Sequence, residues 1–336
     1  MTRIAFCNNY SMREARRLVQ LGIYPRQHLW GSLHLEDAGY EVDFLPFQSS
    51  RLLKHASRVI GPWAGDLEAQ LRTLRHPRNT ITYAAAEDVV RGAAWLRRRR
   101  LWPGRLVGVV HGPSDGQRTS EALRGLDLAI ALSRRIRDEL VASGRDPAAT
   151  ITLPWGPDLS FRGYRSNGQD FVLSSGKTAR DVDTLLRGVQ DMRTRVKVHT
   201  LNDSVGATSW GHVERVVKAP YASVLADLQR CSVVAIPLLT PRWMVGVTEL
   251  NDALALAKPV VMTRNPFIDC DIEAIGCGLW VEKNDAEGWR TALTTLASDP
   301  ALRHEMGRRG RQYAESSWNA DLFGAGLVRA LRQRWS

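Results

Sequence analysis

Short apolar runs alternate with amphipathic stretches along the whole chain. The runs are typical of buried strands, and stretches with apolar residues at helical spacing are typical of helices that cover a sheet. This alternation predicts βα units and parallel sheets. Strands are predicted at residues 3–7, 41–45, 106–111, 126–131, 150–153, 171–174, 195–200, 213–217, 232–237, 259–262 and 278–281. Helices are predicted at residues 27–38, 85–97, 133–143, 181–192, 221–229, 249–257, 286–297, 301–314 and 316–336.

The pattern divides into two halves of similar style. Residues 154–168 are rich in Gly, Pro and Ser and are typical of a linker. We therefore expect two α/β domains of the Rossmann-like kind, at residues 1–160 and 168–315, with a cleft between their parallel sheets. We also expect residues 316–336 to form a helix that packs back toward the first domain.

Composition places the chain among ordinary folded proteins, because 44% of its 336 residues are hydrophobic and 24% are charged. No apolar run approaches the roughly 18 residues of a transmembrane helix, and the N-terminus lacks the apolar core of a signal peptide. The four cysteines lack metal-ligand spacing, so we expect reduced thiols, no zinc site and a cytoplasmic location. The net charge of +11 favours anionic partners.

Residues 171–181 carry the strongest chemical signal. A short apolar strand leads into Gly176, Lys177 and Thr178, and a helix follows Arg180. A strand that ends at a glycine turn and a helix N-terminus is suited to a phosphate group, and the two cations strengthen that interpretation. A P-loop would need a further glycine where Phe171 stands, so an ATPase of that class is disfavoured.

A second glycine turn lies at Gly246. It leads into a helix start that carries Val247, Thr248 and Glu249, and that helix runs into the apolar strand at residues 259–262. Backbone N–H groups at such a helix start favour a negatively charged ligand.

These segments resemble the GT-B glycosyltransferases of the family 4 type. That family has the motif Glu-Ala-Met-Ala-x-Gly-x-Pro-Val-Val, and residues 252–261 match it with Asp252 in place of the glutamate and Ala257 in place of the glycine. Residues 175–181 resemble the segment that holds the donor diphosphate. Residues 232–238 and 299–311 resemble the strand before the donor loop and the penultimate helix.

The resemblance implies a retaining, metal-independent hexosyltransferase that uses a nucleotide-sugar donor and no cofactor. Lys177 and Arg180 would neutralise the diphosphate, which Arg can hold in a bidentate manner. The turns at Gly176 and Gly246 would position it. Asp252 would bind the ribose. The donor nucleotide is expected to be UDP or GDP, with base recognition within residues 201–213.

One departure from the family concerns the first of its two glutamates, whose place is taken by Met244. That glutamate usually contacts the donor sugar. Glu249 is one candidate to replace it. The alternative is that Glu249 only complements the dipole of the helix on which it lies.

In the first half, His111 stands at the carboxyl end of a strand and is followed by a glycine, which favours a place in a cleft. In the family, a histidine in this place faces the transferred sugar. The simpler alternative is that the His111 side chain only forms hydrogen bonds with backbone groups. Arg26 and His28, at a predicted helix start, are candidates to bind a small-molecule or lipid-linked acceptor. The alternative is that His28 only caps that helix.

Residues 95–102 mix four arginines with Trp95 and Trp102. Such a segment fits either a peripheral contact with an anionic membrane or a solvated basic turn. No nucleic-acid-binding motif accompanies it. Two other functions stay open: a GT-B sugar-nucleotide epimerase, and a non-enzymatic basic protein that binds nucleotides or nucleic acid.

Overall fold

A computed structural model describes residues 2–112, 121–161, 169–201 and 210–335. The chain forms two compact units. The first comprises Met1–Trp155 with Ala320–Ser336, and the second comprises Gly156–Asn319. Each unit contains a parallel six-stranded sheet within the described residues, which confirms the predicted Rossmann-like α/β class.

The strands of the first unit are β1 (Arg3–Cys7), β2 (Glu41–Phe44), β3 (Ile81–Ala84), β4 (Arg105–Val110), β5 (Leu128–Ala131) and β6 (Thr150–Thr152). Those of the second are β7 (Phe171–Ser174), β8 (Arg195–Thr200), β9 (Val213–Val217), β10 (Val233–Ile236), β11 (Val260–Thr263) and β12 (Gly278–Val281). The orders are β2-β1-β3-β4-β5-β6 and β12-β11-β10-β7-β8-β9. Both orders reverse direction once, between β1 and β3 and between β7 and β10.

The helices, in chain order, are α1 (Met12–Gln20), α2 (Ser32–Asp37), α3 (Arg51–Ala64), α4 (Leu67–Thr73), α5 (Arg91–Arg98), α6 (Arg134–Ala142), α7 (Val182–Val189), α8 (Tyr221–Arg230), α9 (Val247–Ala255), α10 (Ile272–Ile275), α11 (Ala286–Ser298), α12 (Pro300–Ser317) and α13 (Ala320–Trp335). Short 3-10 turns occupy Arg26–Leu29, Glu87–Val90 and Pro147–Ala149. The terminal helix α13 belongs to the first unit.

Polar caps and buried apolar strands explain why these elements form. Ser133 accepts a hydrogen bond from the N–H of Ile136 at the start of α6, and Asp181 does the same for Thr184 at the start of α7. All four residues of β7 and of β10 are buried, as expected for central strands of a parallel sheet. In the second unit, Trp289 of α11 is 1% exposed and packs in the core beneath the sheet.

Several sequence predictions need correction. Strand β3 was not predicted, and the helix predicted at 85–97 starts only after a 3-10 turn, as α5. The helix predicted at 27–38 is broken, because Trp30 and Gly31 both have left-handed φ angles of 50° and 77°. The helices α1, α3, α4 and α10 were also not predicted. In α4 the buried side chains include Glu68, Gln70 and Thr73 while Leu71 is exposed, so its hydrophobic pattern does not follow its buried face.

The segment predicted as a linker is described in its first part, where Trp155 and Gly156 are buried. A Cβ on Gly156 would overlap the backbone of Trp318, so only glycine fits there. Residues 162–168 lie outside the described residues.

The two reversal points matter for function, because ligands of open parallel sheets bind beyond the carboxyl ends of the strands at such points.

Candidate functional site

The turn after β7 packs on the loop after β10, at the reversal point of the second sheet. The N–H of Leu239 donates to the carbonyl of Ala179 at 2.9 Å, and the N–H of Asp181 donates to the carbonyl of Pro237 at 3.2 Å. Arg180 and Leu238 also form an antiparallel bridge. The cationic turn predicted from the sequence therefore lies at the place where this sheet type binds ligands.

Arg180 is held in a fixed position by this turn. Its Nη2 lies 2.7 Å from Oε1 of Glu249, and its Nε donates to the carbonyl of Ser175 at 3.1 Å. The side chains of Arg180 and Glu249 are only 8% and 12% exposed. The ion pair thus joins the turn to the first turn of α9, and it neutralises much of the Arg180 charge in this structure.

Gly176 is required by this packing. Its φ angle is +112°, and a Cβ there would overlap both the Glu249 carboxylate and the Arg180 guanidinium. Any other residue would strain the backbone and separate the ion pair.

The helix α9 begins at Gly246, whose φ angle of +85° also favours glycine. A Cβ there would come within 2.7 Å of Cε of Met262. Glycine offers no capping side chain, so the N–H groups of Val247, Thr248 and Glu249 in the first helical turn are not capped by Gly246. Such a helix start presents the positive end of the helix dipole.

Asn265 supports the loop that precedes α9. Its Nδ2 donates to the carbonyls of Trp243 at 2.8 Å and Val245 at 3.2 Å, and the residue is 2% exposed. Sequence reasoning missed Asn265, because nothing in its local pattern separates it from an ordinary residue after a strand.

Two polar groups at the turn have no protein partner among the described residues. Ser175 is 2% exposed and its Oγ makes no hydrogen bond there. Lys177 is exposed and forms no ion pair within the same residues. A buried hydroxyl without a partner is costly, so it marks a place where a ligand or water completes the hydrogen bonding.

The two acids predicted on α9 have different surroundings. Glu249 lies against the turn, whereas Asp252 is 2% exposed and faces the protein interior. Met244, at the place of the missing family glutamate, is 6% exposed. The carboxylate that the fold brings to the cationic turn is therefore that of Glu249.

A second group of residues lies in the first unit, beyond the carboxyl end of β4. Nδ1 of His111 is 3.1 Å from Oε2 of Glu87, and the backbone N–H of His111 is 3.4 Å from the same oxygen. Burial raises the pKa of Glu87, but the hydrogen bonds and charge of His111 outweigh it, so the pKa lies below its usual value. The edge of the Trp30 ring packs against the imidazole, with centroids 5.2 Å apart.

Glu87 could not be identified from the sequence, because it follows the unpredicted strand β3. It reaches His111 only because β3 and β4 are paired neighbours, with Ala84 opposite Gly108. The contact therefore depends on the order of the strands.

An aromatic cluster lies at the reversal point of the first sheet. Trp30 stacks on Trp155 with ring centroids 4.7 Å apart, and Nε1 of Trp30 donates to the hydroxyl of Tyr10 at 2.8 Å. The same hydroxyl donates to the carbonyl of His28 at 2.7 Å. The ring of His28 stacks on Tyr24, and burial lowers its pKa to about 3. His28 is thus a neutral, 8% exposed part of this cluster.

Arg26, the other acceptor candidate, forms an ion pair with Asp321 of α13 at 2.8 Å. His34 lies 3.0 Å from the same carboxylate. Arg26 therefore contributes to holding the terminal helix on the first unit.

Two wider features bear on the site. Within the described residues, no group of three or more His, Cys, Asp or Glu side chains is arranged to hold a metal ion. None of the helices described here is both long and apolar enough to cross a membrane.

Of the segment expected to recognise the base, residues 202–209 lie outside the described part of the chain.

Two Rossmann-like units with these strand orders define the GT-B fold, and comparison with solved structures agrees. Sucrose-phosphate synthase from Thermosynechococcus elongatus superposes with a TM-score of 0.72 and 12% identity over 99% of both chains. HepE from Anabaena, in complex with UDP and glucose, gives a TM-score of 0.68 and 12% identity over 99% of both chains. A glycosyltransferase from Rickettsia africae gives 0.65 and 10% identity over 99% of this chain and 98% of that one.

At these identities the likeness shows the fold. No protein-family profile matches the sequence, and no curated protein matches it either.

Proposed function

We propose that this protein is a retaining glycosyltransferase that moves a sugar from a nucleoside diphosphate donor to an acceptor. The observation that carries the proposal is the meeting of the Gly176–Arg180 turn with the start of α9 at the reversal point of the second sheet. A donor diphosphate carries negative charge, and both elements favour it there.

Charge stabilisation is the main chemical task of such a site. The bond between sugar and diphosphate breaks with growing negative charge on the leaving group. Lys177 supplies a cation, the start of α9 supplies oriented N–H groups, and the Ser175 hydroxyl supplies a hydrogen bond. Single groups of this kind are worth about 3 kcal/mol in a transition state.

Arg180 has a second task in this proposal. Its ion pair with Glu249 fixes the turn against α9, so the donor meets a preformed site. The proposal keeps Arg180 as a diphosphate ligand and Asp252 as the ribose contact, as the family resemblance implies. Glu249 then takes the place of the acid that is absent at Met244.

We favour UDP as the nucleotide of the donor and a hexose as the sugar that is transferred. HepE, which shares the fold, was solved with UDP-glucose as well as with UDP and glucose. The cations of the chain serve where other enzymes use a metal ion, so the reaction is proposed to proceed without one. Turnover that is unchanged by a chelator is the expected result.

In the first unit, we assign to His111 the contact with the transferred sugar. Glu87 orients the imidazole by accepting a hydrogen bond at Nδ1, which leaves Nε2 for a substrate. The acceptor is proposed to bind in the first unit. Arg26 and His28 are weaker candidates there, because one is paired with Asp321 and the other is buried.

A thermal-shift panel tests the donor proposal directly. The protein is heated with UDP, GDP, ADP, CDP or dTDP, since a ligand that binds the folded state raises the melting temperature. We expect UDP to give the largest rise. Lys177→Ala should reduce that rise, whereas Lys283→Ala, which removes another exposed lysine of the same unit, should not.

Turnover completes the test. Lys177→Ala combined with Arg180→Ala should abolish consumption of the donor while the protein stays folded. Full activity of this double variant would refute the assignment. Consumption of a sugar nucleotide without any acceptor would instead favour the epimerase, and binding of polynucleotides that survives both substitutions would favour the non-enzymatic alternative.

A further inference from the structure

An arginine-rich groove lies in the first unit, at the amino-terminal ends of β5 and β6. It has a volume of about 620 Å³ and is lined by six arginines and two aspartates, a formal charge of +4. The arginines come from the end of α5, the residues before β5, the residues before β6 and the end of α13. His111 follows the carboxyl end of β4, which lies on the opposite edge of the same parallel sheet. The groove is therefore separate from the group of residues around His111.

Two of the arginines maintain the groove itself. Arg97 forms an ion pair with Asp127 at 3.0 Å. Arg145 is 4% exposed and donates to the carbonyls of Leu126 and Ala149 at 3.1 and 2.7 Å. Burial lowers the pKa of Arg145 to about 10, so it stays charged at neutral pH.

The others present their charge to solvent. Arg100, Arg124 and Arg334 are exposed, and none of them forms an ion pair with another described residue, while Nη2 of Arg124 donates to the carbonyl of Ser143. Arg98 has one carboxylate within reach, that of Glu121 at 3.7 Å. Like charges held together in this way repel each other unless an anion joins them.

The chain segment that supplies Arg97, Arg98 and Arg100 to the groove also carries exposed apolar side chains. The ring of Trp95 is 42% exposed and carries the Arg99 guanidinium 3.6 Å above its centroid. Leu101 is 66% exposed, whereas Trp102 is buried. Residues 95–102, which fit either a membrane contact or a solvated basic turn, thus present one tryptophan and one leucine to solvent and supply three arginines of the groove.

We propose that this groove and the exposed apolar side chains of residues 95–102 form a docking surface for an anionic phospholipid membrane. Arg98, Arg100, Arg124 and Arg334 bind the phosphate groups of the lipids, and Trp95 and Leu101 enter the interfacial layer. The inference is independent of the donor site, because it involves none of its residues.

A membrane fits this surface better than a free phosphate does. Free phosphate needs cations alone and gains nothing from an exposed tryptophan and leucine. A lipid surface uses both features, because basic residues bind the headgroups and tryptophan favours the region between headgroups and acyl chains. The long arginine side chains also span a groove that is too open to enclose one small anion.

Flotation of the full chain with vesicles tests the proposal. One set contains equal parts of phosphatidylcholine and phosphatidylglycerol, and the other contains phosphatidylcholine alone. We expect binding to the anionic vesicles only, weakening as salt is raised. The triple variant Arg100→Asn, Arg124→Gln, Arg334→Gln should bind roughly 100-fold more weakly. Asparagine is chosen at position 100 because Arg100 has a φ angle of +61°.

A matched control removes the same charge elsewhere. Arg187, Arg193 and Lys283 are exposed residues of the second unit, and their replacement by glutamine leaves the same net charge as the groove variant. The control should bind like the unmodified chain, and Trp95→Ala should weaken binding with the groove intact. Circular dichroism of each variant shows that it is folded.

Four results would overturn the proposal. They are no binding to the anionic vesicles, equal loss in the groove and control variants, full competition by inorganic phosphate at low concentration, and groove-dependent binding of duplex RNA in place of vesicles. The last two would identify a free-anion site or a nucleic-acid site.

Discussion

The buried imidazole of His28 makes the stability of the first unit dependent on pH. Its ring lies 4.2 Å from that of Tyr24 and 5.7 Å from that of Trp155, and its Nε2 is buried without a hydrogen-bond partner among the described residues. An imidazolium in this place would lack both water and a counter-charge. The side chain is therefore neutral in the folded protein, with a pKa of about 3.

The direction of the effect follows from the two protonation equilibria. In the unfolded chain a histidine binds its proton near pH 6.5, whereas in the folded chain His28 binds it only near pH 3. Between these values the unfolded state holds one proton more. Stability therefore falls as the pH falls below about 6.5, with a limiting slope of about 1.4 kcal/mol per pH unit.

The size of the effect is set by this difference in pKa. At pH 5 about 97% of unfolded chains carry the proton, which lowers the free energy of unfolding by about 2 kcal/mol relative to neutral pH. The free energy of unfolding of folded domains is typically about 5 to 15 kcal/mol. A change of about 2 kcal/mol is a large part of that value and is easily measured.

The assay is urea unfolding near neutral pH and near pH 5, followed by tryptophan fluorescence. His28→Phe keeps an aromatic ring but cannot titrate, so its loss of stability on acidification should be about 2 kcal/mol smaller than that of the unmodified chain. His28→Asn should behave in the same way, although its stability at neutral pH will differ. His55→Gln, a change at an exposed histidine on α3, is the control and should leave the pH dependence as it is.

An unchanged pH dependence in both His28 variants would refute the reasoning. It would mean that the imidazole is protonated at pH 5 in the folded protein, and hence that it is hydrated or paired. His28 would then be available to an acceptor after all.

Three further predictions concern the two sites. Glu87→Gln should lower kcat about 10-fold while the melting-temperature rise with UDP stays the same, because it weakens only the orientation of His111; an equal loss of the UDP effect would contradict this. Gly176→Ala should remove the UDP effect and cost about 2 kcal/mol of stability, measured by urea unfolding, because alanine strains the backbone and overlaps the ion pair; a neutral result would show that the turn adjusts freely. Glu249→Ala should lower the free energy of unfolding by about 3 kcal/mol, since it leaves Arg180 buried without its partner. Adding Arg180→Ala should recover part of that loss. Strictly additive losses in this double-mutant cycle would mean that the pair is not coupled.

Much of the second unit could be predicted from local pattern. The bounds of β7, β8, β9 and β12 agree with the predicted ranges, because each is an apolar or alternating run bordered by polar or glycine residues. The first unit was predicted less well. β3 has only four residues and ends at the first of three consecutive alanines, which favour a helix.

The candidate site was predicted in part. The glycine turn at Gly176 and Lys177, the helix start after Arg180 and the glycine turn at Gly246 agree with the sequence prediction, because glycine turns and helix starts have local signatures. The pairing of Arg180 with Glu249 was not predicted. It depends on β7 and β10 being neighbours, which a single sequence does not specify.

The sequence alone determined the local chemistry of this protein: the strands and most helices of the second unit, the glycines whose positive φ angles allow the two turns, and the excess of arginine. These features depend on residues close together in the chain, where steric and hydrogen-bonding preferences act. Only the tertiary structure decided which charges meet. It placed Glu249 on Arg180, Glu87 on His111, and arginines from four separate segments in one groove. Such contacts arise from the order of strands in a sheet, which is set by the packing of the whole unit.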